Sequence, residues 1–303
     1  MKAMILAAGL GTRLRPLSLE IPKPVIPVLG QPLCGYAMTF LRGCGAESFL
    51  LNLHHDPETV RGRVTAWAAG RFPVDFTHEP EILGTGGGIG NAGERLRGGT
   101  FVTANSDAIA RFPLGDALAR HRSDGALATL VLFPDPAKRY TPVRVREDGR
   151  ITGFGEEAAP GAFEGFYTGY QIVEPELLDH IPRGRPSCII RDTYVPLIAR
   201  GAPVFAYLTS GMFLDFGTPG DYLRATLALL GERDVGKGPR RFAHPRASIG
   251  EGAAVGPDAV VEEGASVGAG ATVRRAILWP GAVVPPGAIV ENGILTPNRF
   301  VPA

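Results

Sequence analysis

A glycine-rich stretch near the start of the sequence has the residue types of a polyphosphate-binding loop. An apolar run over residues 3–8, typical of a buried strand, ends in Gly9, Gly11 and Thr12. Glycine lets backbone N–H groups turn toward a phosphate, because no side chain blocks the approach. Arg13 follows directly and places a fixed positive charge beside these N–H groups. The stretch therefore predicts a loop that binds a polyphosphate.

The spacing within this loop excludes two common phosphate-binding motifs. A Walker loop needs a glycine, four residues and then Gly-Lys-Ser/Thr, and a dinucleotide fingerprint needs a third glycine where this sequence has Leu14. Prolines at several positions up to residue 27 also rule out a regular helix through the segment. Pro22 and Pro24 flank Lys23, so we expect a rigid turn to deliver this lysine to the phosphate.

The start of the sequence resembles the N-terminal segment of the sugar-1-phosphate nucleotidyltransferases. The shared features are, in order, a strand, the motif G-x-G-T-R-L, a proline and the lysine of a K-P pair. The resemblance implies an enzyme in which Arg13 binds the triphosphate and the developing pyrophosphate, and Lys23 the α-phosphate region. It also implies nucleotide contacts from two segments of the chain. The implied nucleotide-binding residues are Leu6, Ala7, Ala8, Gly9, Gly11, Thr12, Glu79, Gly84 and Thr85.

Two aspartates in separate motifs are candidate metal ligands. The stretch FVTANSD predicts a buried strand that ends in an N-S-D motif, Asn105-Ser106-Asp107. An aspartate at the carboxyl end of a strand beside a phosphate loop can hold a hard cation. Asp215 lies in MFLDFGTPGDYL, which resembles the family segment W-x-D-x-G-T-P-x-D-Y with Phe213 in place of tryptophan. Thr218 and Asp221 are better candidates than Asp215 for capping the following helix. The resemblance implies that Asp107 and Asp215 together hold Mg²⁺.

The segment from Glu79 to Gly88 resembles the family's L-G-T-[AG]-G motif. Gly84 and Thr85 would lie against the nucleoside. Each interior glycine of a helix destabilises it by about 1 kcal/mol, and we attribute the glycines here to close approach of the ligand.

Glu79 lies five residues before Gly84, where uridylyl- and thymidylyltransferases of the family place a base-reading glutamine. A carboxylate can accept the guanine N1–H and 2-amino group as a bidentate pair, but facing uracil its charge would lie near a carbonyl oxygen. This chemistry favours GTP. Some uridylyltransferases acting on N-acetylmuramate 1-phosphate also carry an acidic residue there.

The resemblance implies four sugar-binding residues, Asn105, Glu156, Tyr167 and Thr168. Here the sequence departs from the family, because Tyr140-Thr141 replaces Tyr-Gly and the usual sugar-phosphate lysine is missing beside Glu156. Arg144 and Arg191 are both candidates for the missing phosphate contact.

Strand-like and helical segments alternate over nearly two hundred residues, which predicts an α/β, Rossmann-like, mostly parallel sheet with an antiparallel part over residues 143–173. Within this fold we expect a single helix over residues 85–96 and a hairpin at Glu147-Asp148-Gly149. We expect a nucleotidyltransferase catalytic domain over residues 1–231, a linker over 232–241 and a tail over 242–303. In the tail, aliphatic residues recur every six positions, at Ile249, Val255, Val261, Val267 and Val273 and then in a shifted frame at Ile277, Val283 and Ile289. A six-residue period predicts a left-handed or right-handed solenoid. The repeats resemble the short left-handed parallel β-helix tails of some sugar nucleotidyltransferases, and the tail should pack on the catalytic domain or on another subunit.

Composition limits the classes of partner. A net charge of +1 in 303 residues gives no general attraction to nucleic acid or to an anionic membrane. The three cysteines lack metal or redox spacing, and no apolar run is long enough to cross a bilayer. We expect a soluble, cytoplasmic homo-oligomer.

The leading hypothesis is that an NTP and a sugar 1-phosphate form an NDP-sugar and pyrophosphate, with GTP and mannose 1-phosphate as the expected pair. The alternatives are a UDP- or dTDP-sugar pyrophosphorylase, for example of the glucose- or N-acetylmuramate-1-phosphate type, and a non-catalytic nucleotide-sugar-binding regulatory subunit.

Overall fold

The structure, a computed structural model, describes residues 1–155, 162–232 and 239–303. The predicted sugar ligand Glu156 and most of the predicted linker lie outside these residues. Contacts divide the chain into two compact units. The first consists of Met1–Gly9 and Cys34–Phe213, and the second of Leu10–Leu33 and Leu214–Ala303. The phosphate loop is thus grouped with the tail, and the division into a catalytic domain and an appended tail stays a prediction.

The helices are α1 (Leu33–Gly43), α2 (Pro57–Ala68), α3 (Gly84–Asn91), α4 (Gly93–Leu96), α5 (Leu114–Ser123), α6 (Val195–Ala199) and α7 (Pro219–Glu232), with short 3₁₀ turns at Thr12–Leu14, Leu17–Leu19, Lys23–Val25 and Pro175–Asp179 and a π-helical turn at Ile189–Tyr194. The strands up to the tail are β1 (Lys2–Leu6), β2 (Pro27–Val28), β3 (Gln31–Pro32), β4 (Ser48–Leu53), β5 (Val74–His78), β6 (Phe101–Asn105), β7 (Ala108–Arg111), β8 (Ala128–Phe133), β9 (Pro142–Val145), β10 (Ile151–Phe154), β11 (Phe163–Val173), β12 (Val204–Leu208) and β13 (Met212–Asp215). The tail contains β14 (Arg241–Ala243), β15 (Ser248–Ile249), β16 (Ala254–Val255), β17 (Ala259–Val261), β18 (Ser266–Val267), β19 (Thr272–Leu278), β20 (Val283–Val284), β21 (Ile289–Leu295) and β22 (Phe300–Pro302).

The first unit is an α/β fold around a mostly parallel sheet, as predicted. Strands β6, β1, β4 and β5 are neighbours and parallel, while β11 runs antiparallel to β6, β8 and β9. Leu6 at the end of β1 pairs with Asn52 on one side and with Asn105 on the other. Carboxyl ends of parallel strands share one edge of a sheet, so this edge carries the start of the phosphate loop and the N-S-D motif.

The antiparallel part and the hairpin around residue 148 are also confirmed, because β9 pairs with β10 and with β11 in antiparallel register. The core of this unit is formed by buried side chains such as Phe101, Leu130 and Tyr194. The single helix predicted over residues 85–96 is instead two helices, α3 and α4. Within the described residues, no helix combines the length and the apolar character needed to cross a lipid bilayer.

In the second unit, the tail strands form parallel ladders with a repeat of about three hexads. Ser248 pairs with Ser266, and Ser266 pairs with Val283. This spacing is the one expected when each six-residue stretch forms one side of a three-sided coil. The hand of the coil stays a prediction.

The predicted frame of the last repeats is wrong by one residue. Val283 and Ile289 are 64% and 69% exposed, whereas the apolar interior contains Leu278, Val284 and Val290. Neighbouring residues of a strand point to opposite faces, so a slip of one position exchanges the buried and the exposed sets.

Candidate nucleotide-binding and catalytic site

The phosphate loop folds back on itself around Gly11. This residue has a φ of 60°, and a Cβ built on it would lie 3.0 Å from Cβ of Lys23 and 3.2 Å from Cβ of Ser18. The Ser18 hydroxyl donates to the carbonyl oxygen of Gly11 at 2.8 Å, and Lys23 is only 8% exposed. Glycine is required here both by the positive φ and by the close packing. The structure therefore brings together two predicted phosphate-binding positions, Gly11 and Lys23.

Arg13 and Asp215 approach each other beside Gly217. A Cβ on Gly217 would lie 3.1 Å from Nη1 of Arg13 and 3.1 Å from Oδ2 of Asp215, so these two atoms are separated by at most twice that distance. Arg13, which is predicted to bind the triphosphate, and Asp215, a predicted metal ligand, are therefore neighbours within the second unit. A guanidinium group and a carboxylate at this distance can together bind a phosphate and a cation bound to it.

The segment after Asp215 is capped as predicted. The Thr218 hydroxyl accepts the Asp221 N–H at 3.1 Å, and the Asp221 carboxylate accepts the Thr218 N–H at 3.0 Å. This reciprocal pair is a capping box for α7. Asp221, and not Asp215, is thus the acidic residue that caps the helix.

A buried chain of polar groups joins the end of β1 to the L-G-T segment in the first unit. The Asn52 side chain accepts the Ala7 N–H at 2.9 Å through Oδ1 and donates from Nδ2 to Oε1 of Glu79 at 2.7 Å. Oε2 of Glu79 then accepts the Leu83 N–H at 2.9 Å. The residue before Gly84 and the residue at the end of β1 are therefore held by the same buried chain.

The carboxylate of Glu79 thus has a structural role in addition to the predicted one. Its side chain is 0% exposed, and each oxygen accepts an internal hydrogen bond. A carboxylate oxygen has two lone pairs, so one acceptor position remains on each oxygen. Base reading by Glu79 stays a prediction.

Packing within the protein, and not only the approach of a ligand, requires glycine at several positions of α3. Added Cβ atoms would lie 2.7 Å from the Ser187 carbonyl oxygen at Gly84, 2.8 Å from Ser187 Oγ at Gly86, and 2.6 Å from Asn52 Nδ2 at Gly88. The N–H groups of Gly86 and Gly87 donate to the same Ser187 carbonyl at 2.9 and 3.2 Å. The explanation of these glycines by ligand approach alone is therefore corrected: the segment around Ser187 packs directly on the first turn of the helix.

Gly88→Ala is expected to disturb the Asn52–Glu79 pair, because the new methyl would lie 2.6 Å from Asn52 Nδ2 and 2.8 Å from Glu79 Oε1. Overpacking of this kind costs about 1–3 kcal/mol of unfolding free energy. We expect a lower melting temperature and a higher KM for the nucleotide. Gly93→Ala is the matched control, since nothing lies within 4 Å of its Cβ position. Equal behaviour of the two variants would contradict the assigned role of the pair.

The other predicted nucleotide-binding positions differ in exposure. Gly9, Thr12, Gly84 and Thr85 are exposed, Leu6 is half-buried, and Ala7 and Ala8 are buried. The Thr85 hydroxyl accepts the Ile189 N–H at 3.0 Å. The exposed positions are accessible to a ligand, and their nucleotide contacts stay predictions.

The structure brings Asn105 against the turn that contains Thr168. Gly169 has a φ of 85°, and its Cβ position lies 2.5 Å from Nδ2 of Asn105, so only glycine fits there. The Thr168 hydroxyl donates to the carbonyl of Val131 at 2.9 Å and is 2% exposed. Tyr167 is half-buried, and desolvation raises the pKa of its phenol. Two predicted sugar-side segments therefore meet at one edge of the sheet.

Both candidates for the missing phosphate contact are engaged in ion pairs. Arg144 pairs with Glu164. Arg191 forms a forked pair with Asp192, with both N···O distances at 2.9 Å, and this hydrogen bonding together with the Cys188 N–H lowers the pKa of Asp192 to about 2. Using either arginine for a substrate phosphate would require competition with an existing carboxylate.

An aromatic cluster lies next to the segment that departs from the family pattern. Tyr140 stacks on Phe166 with ring centroids 4.3 Å apart, and Phe213 meets Phe166 edge to face at 4.9 Å. Phe213 therefore makes aromatic contacts at the position where the family segment has tryptophan. Tyr140 and Lys138 also line a cavity of about 280 Å³.

The donor atoms of Asp107 and Asp215 fit a hard divalent cation. Among the residues described by the structure, no group of three or more His, Cys, Asp or Glu side chains is arranged to hold a metal. Mg²⁺ is commonly held by one or two carboxylates with substrate phosphates and water, so two aspartates suffice in donor chemistry. The metal site stays a prediction.

Sequence reasoning missed Asn52 and a second buried network. The Gln171 side chain donates to the Thr103 hydroxyl at 2.8 Å and accepts from the hydroxyl of Tyr194. Asn52 could have been noticed as the one amide in the apolar strand SFLLNL, since a buried amide needs partners. The partners themselves could not be identified without the sheet order.

Comparison with known proteins identifies the family. The nucleotidyl transferase family profile matches residues 2–232. The chain is 30% identical to mannose-1-phosphate guanylyltransferase of Mycobacterium tuberculosis, over 84% of this chain and 71% of that protein. It is 31% identical to UTP–glucose-1-phosphate uridylyltransferase of Synechocystis, over 76% of this chain and 63% of that protein. The structure matches the crystal structure of HddC from Yersinia pseudotuberculosis complexed with GMP-PN, with a TM-score of 0.65, 26% identity and coverage of 75% of this chain and 99% of HddC.

The loop, the sheet edge and these similarities agree: the chain belongs to the nucleotidyl transferase family and is a sugar-1-phosphate nucleotidyltransferase.

Proposed function

We propose that the enzyme forms GDP-mannose and pyrophosphate from GTP and mannose 1-phosphate. The observation that carries this proposal is the similarity to the guanylyltransferase of Mycobacterium tuberculosis over 84% of the chain. Mannose-1-phosphate guanylyltransferase 1 of Arabidopsis thaliana adds a second similarity of 30% over the same share. The GMP-PN complex of HddC supports a guanine nucleotide. The carboxylate of Glu79 has the acceptor chemistry that guanine needs, and base reading would require its buried side chain to become accessible to the base.

The proposed reaction is a direct displacement at phosphorus. An oxygen of the sugar phosphate attacks the α-phosphorus of GTP, the bond from this phosphorus to the bridging oxygen breaks, and pyrophosphate leaves. Arg13 holds the triphosphate and stabilises the charge on the leaving pyrophosphate, while Lys23 binds the α-phosphate region. Asp107 and Asp215 would hold Mg²⁺, which would supply charge neutralisation at phosphate oxygens. Asn105, Tyr167 and Thr168, with Glu156, complete the proposal as sugar-side residues.

We also propose that the tail is a left-handed β-helix and that the enzyme is a cytoplasmic homo-oligomer. Support for the first part is the parallel pairing of tail strands at three-hexad spacing. Support for the second part is that the three cysteines are free thiols, as expected in a reducing compartment, and that a short solenoid has end faces that another subunit can cover.

A second candidate function is uridylyl transfer to glucose 1-phosphate. It is favoured by the similarity to the Synechocystis enzyme. Pyrophosphate release from GTP, UTP, dTTP and ATP, each paired with mannose, glucose and N-acetylmuramate 1-phosphates, separates the candidates. We expect the highest kcat/KM for GTP with mannose 1-phosphate. The highest value for UTP would overturn the proposal, and nucleotide-sugar binding without turnover of any pair would indicate a regulatory subunit.

Glu79→Gln is expected to lower kcat/KM for GTP by an amount that corresponds to about 1–3 kcal/mol of activation free energy. This is the cost of leaving a buried hydrogen-bonding group without its partner. UTP should lose less, because uracil offers one donor to the carboxylate. The amide would also face the donors Asn52 Nδ2 or Leu83 N–H, so the melting temperature should fall. The GTP to UTP ratio of kcat/KM isolates base reading from this structural effect. Glu81→Gln, exposed and two residues away, is the control, and an unchanged ratio in Glu79→Gln would exclude base reading.

A further inference from the structure

The segment that contains the phosphate loop, residues 10–33, is held within the second unit at three places, two of them directly on the tail and one through Tyr222 of α7. The first place is Glu20, seven residues after Arg13. Its carboxylate accepts from the hydroxyl of Thr296 at 3.1 Å and from Nδ2 of Asn298 at 2.9 Å, and it pairs with Nε of Arg299 at 2.8 Å. The Glu20 side chain is only 10% exposed, so its carboxylate is largely shielded from solvent, although its contact with Asn298 lies at the surface.

The second place is the carbonyl of Pro27. It accepts from the hydroxyl of Tyr222 at 2.6 Å, and the indole N–H of Trp279 donates to the same hydroxyl at 2.9 Å. Tyr222 and Trp279 are buried at 0% and 1% exposure. The buried Tyr222 hydroxyl accepts from Trp279 and donates to Pro27, so it fixes the position of the Pro27 carbonyl in the loop backbone.

The third place is the hairpin between β2 and β3. The N–H of Gly30 donates to both carboxylate oxygens of Glu262, at 3.2 and 3.0 Å, and Glu262 is 1% exposed. Leu29 and Gly30 both have positive φ, and a Cβ on Gly30 would lie 3.1 Å from the ring of Phe242. The tip of this hairpin is therefore seated on the tail through both a charge-assisted hydrogen bond and packing.

These places bracket the proposed phosphate-binding lysine. Lys23 lies three residues after Glu20 and four before Pro27, and its side chain packs on Gly11. Prolines on both sides of the lysine make the intervening backbone stiff, so fixing Glu20 and Pro27 fixes Lys23. Gly11 in turn lies two residues before Arg13.

We propose that the tail is a positioning element for the transfer reaction, acting through Glu262, Trp279 and the Thr296–Arg299 turn on the loop that carries Arg13 and Lys23. The inference rests on the proposed roles of those two cations. A displacement of about 1 Å at a reacting centre can lower a rate by about a hundredfold, so contacts far from the substrate along the chain can control turnover.

The test uses the full chain with the variants Glu20→Ala, Glu20→Gln, Trp279→Phe and Asn298→Ala. Hydrogen–deuterium exchange over residues 10–33 reports anchoring without any turnover, and peptides from residues 114–133 serve as the internal reference. Glu263→Ala is the matched control, because Glu263 is adjacent to Glu262 but pairs with Arg246 at the surface.

We expect Glu20→Ala and Trp279→Phe to raise exchange over residues 10–33 and to lower kcat by at least about tenfold, with KM for the sugar 1-phosphate changing less. Glu20→Gln keeps one acceptor oxygen but loses the second acceptor and the charge that faces Arg299, so it should recover part of the activity. Glu263→Ala should change neither measurement. Asn298→Ala removes one exposed contact and should show a smaller effect of the same kind. Because this variant leaves the buried side chains intact, it tests the proposal even if Glu20→Ala or Trp279→Phe fails to fold.

Unchanged exchange in Glu20→Ala and Trp279→Phe, or raised exchange with unchanged kcat, would overturn the positioning role. Absence of turnover by the wild-type enzyme with every substrate pair would contradict the proposed function instead. If the wild-type enzyme shows no turnover, exchange still tests the positioning role. Raised exchange over residues 10–33 in the variants, together with weaker protection of these residues by added GTP, would support positioning. Unchanged exchange and unchanged protection would contradict positioning.

Discussion

Asp215→Asn and Asp107→Asn are each expected to lower kcat by roughly a thousandfold, with a nearly unchanged melting temperature. The amide loses the negative charge that holds Mg²⁺, and removal of one preorganised charge contact in a reaction of this type costs roughly 10²–10³ in rate. Neither aspartate belongs to the apolar core, so stability should not depend on the charge. A steady-state measurement of kcat against Mg²⁺ concentration checks this, and the apparent Mg²⁺ requirement should rise in both variants.

The control for these variants lies in the same segment. Asp221→Asn weakens the capping box with Thr218, so it should lower the melting temperature while kcat is retained. Opposite results for Asp215 and Asp221 separate a metal ligand from a structural carboxylate. Full Mg²⁺-dependent activity in either Asp107→Asn or Asp215→Asn would remove that residue from the metal site.

The sheet of the first unit could be predicted because hydrophobic periodicity is a local property. The run SFLLNL and the run ATLVLF read as buried strands from composition alone, and both are strands in the structure. The cap at Thr218 followed from residue types three positions apart. These features depend on neighbours in sequence, which is the information that a sequence contains most directly.

Features that depend on distant neighbours were missed or misread. The glycines of α3 were attributed to a ligand, but their packing partners, Ser187 and Asn52, are remote in sequence. The last tail repeats were placed one position too early, because a single shortened repeat changes which face of each strand is buried.

The attachment of the phosphate loop to the tail is the clearest example of this limit. Glu20 and Asn298 are separated by 278 positions, and no local pattern indicates that they meet. The repeats predicted an element that packs on something, but not that its carboxylate Glu262 would bind the loop backbone at Gly30. Such a function of the tail becomes visible only in the folded chain.

Arg13→Ala is the second variant with a very large expected effect. We expect kcat/KM to fall by roughly 10²–10³ in both directions of the reaction, since the same guanidinium binds the triphosphate going forward and pyrophosphate in reverse. In the reverse assay with GDP-mannose, KM for pyrophosphate should rise. Arg13→Lys keeps the charge but loses the forked geometry, so its activity should lie between the wild-type and alanine values.

Arg15→Ala provides the matched control, because Arg15 is exposed, carries the same charge and lies two residues further along the loop. A contact with the leaving group acts over hydrogen-bond distance, whereas a general positive field falls off slowly and is screened by salt. Arg15→Ala should therefore lower kcat/KM by less than about threefold at 0.15 M salt. If both arginines gave equal losses that vanish at high salt, Arg13 would contribute only to the field of the loop, and the leaving-group charge would have to be stabilised by another residue.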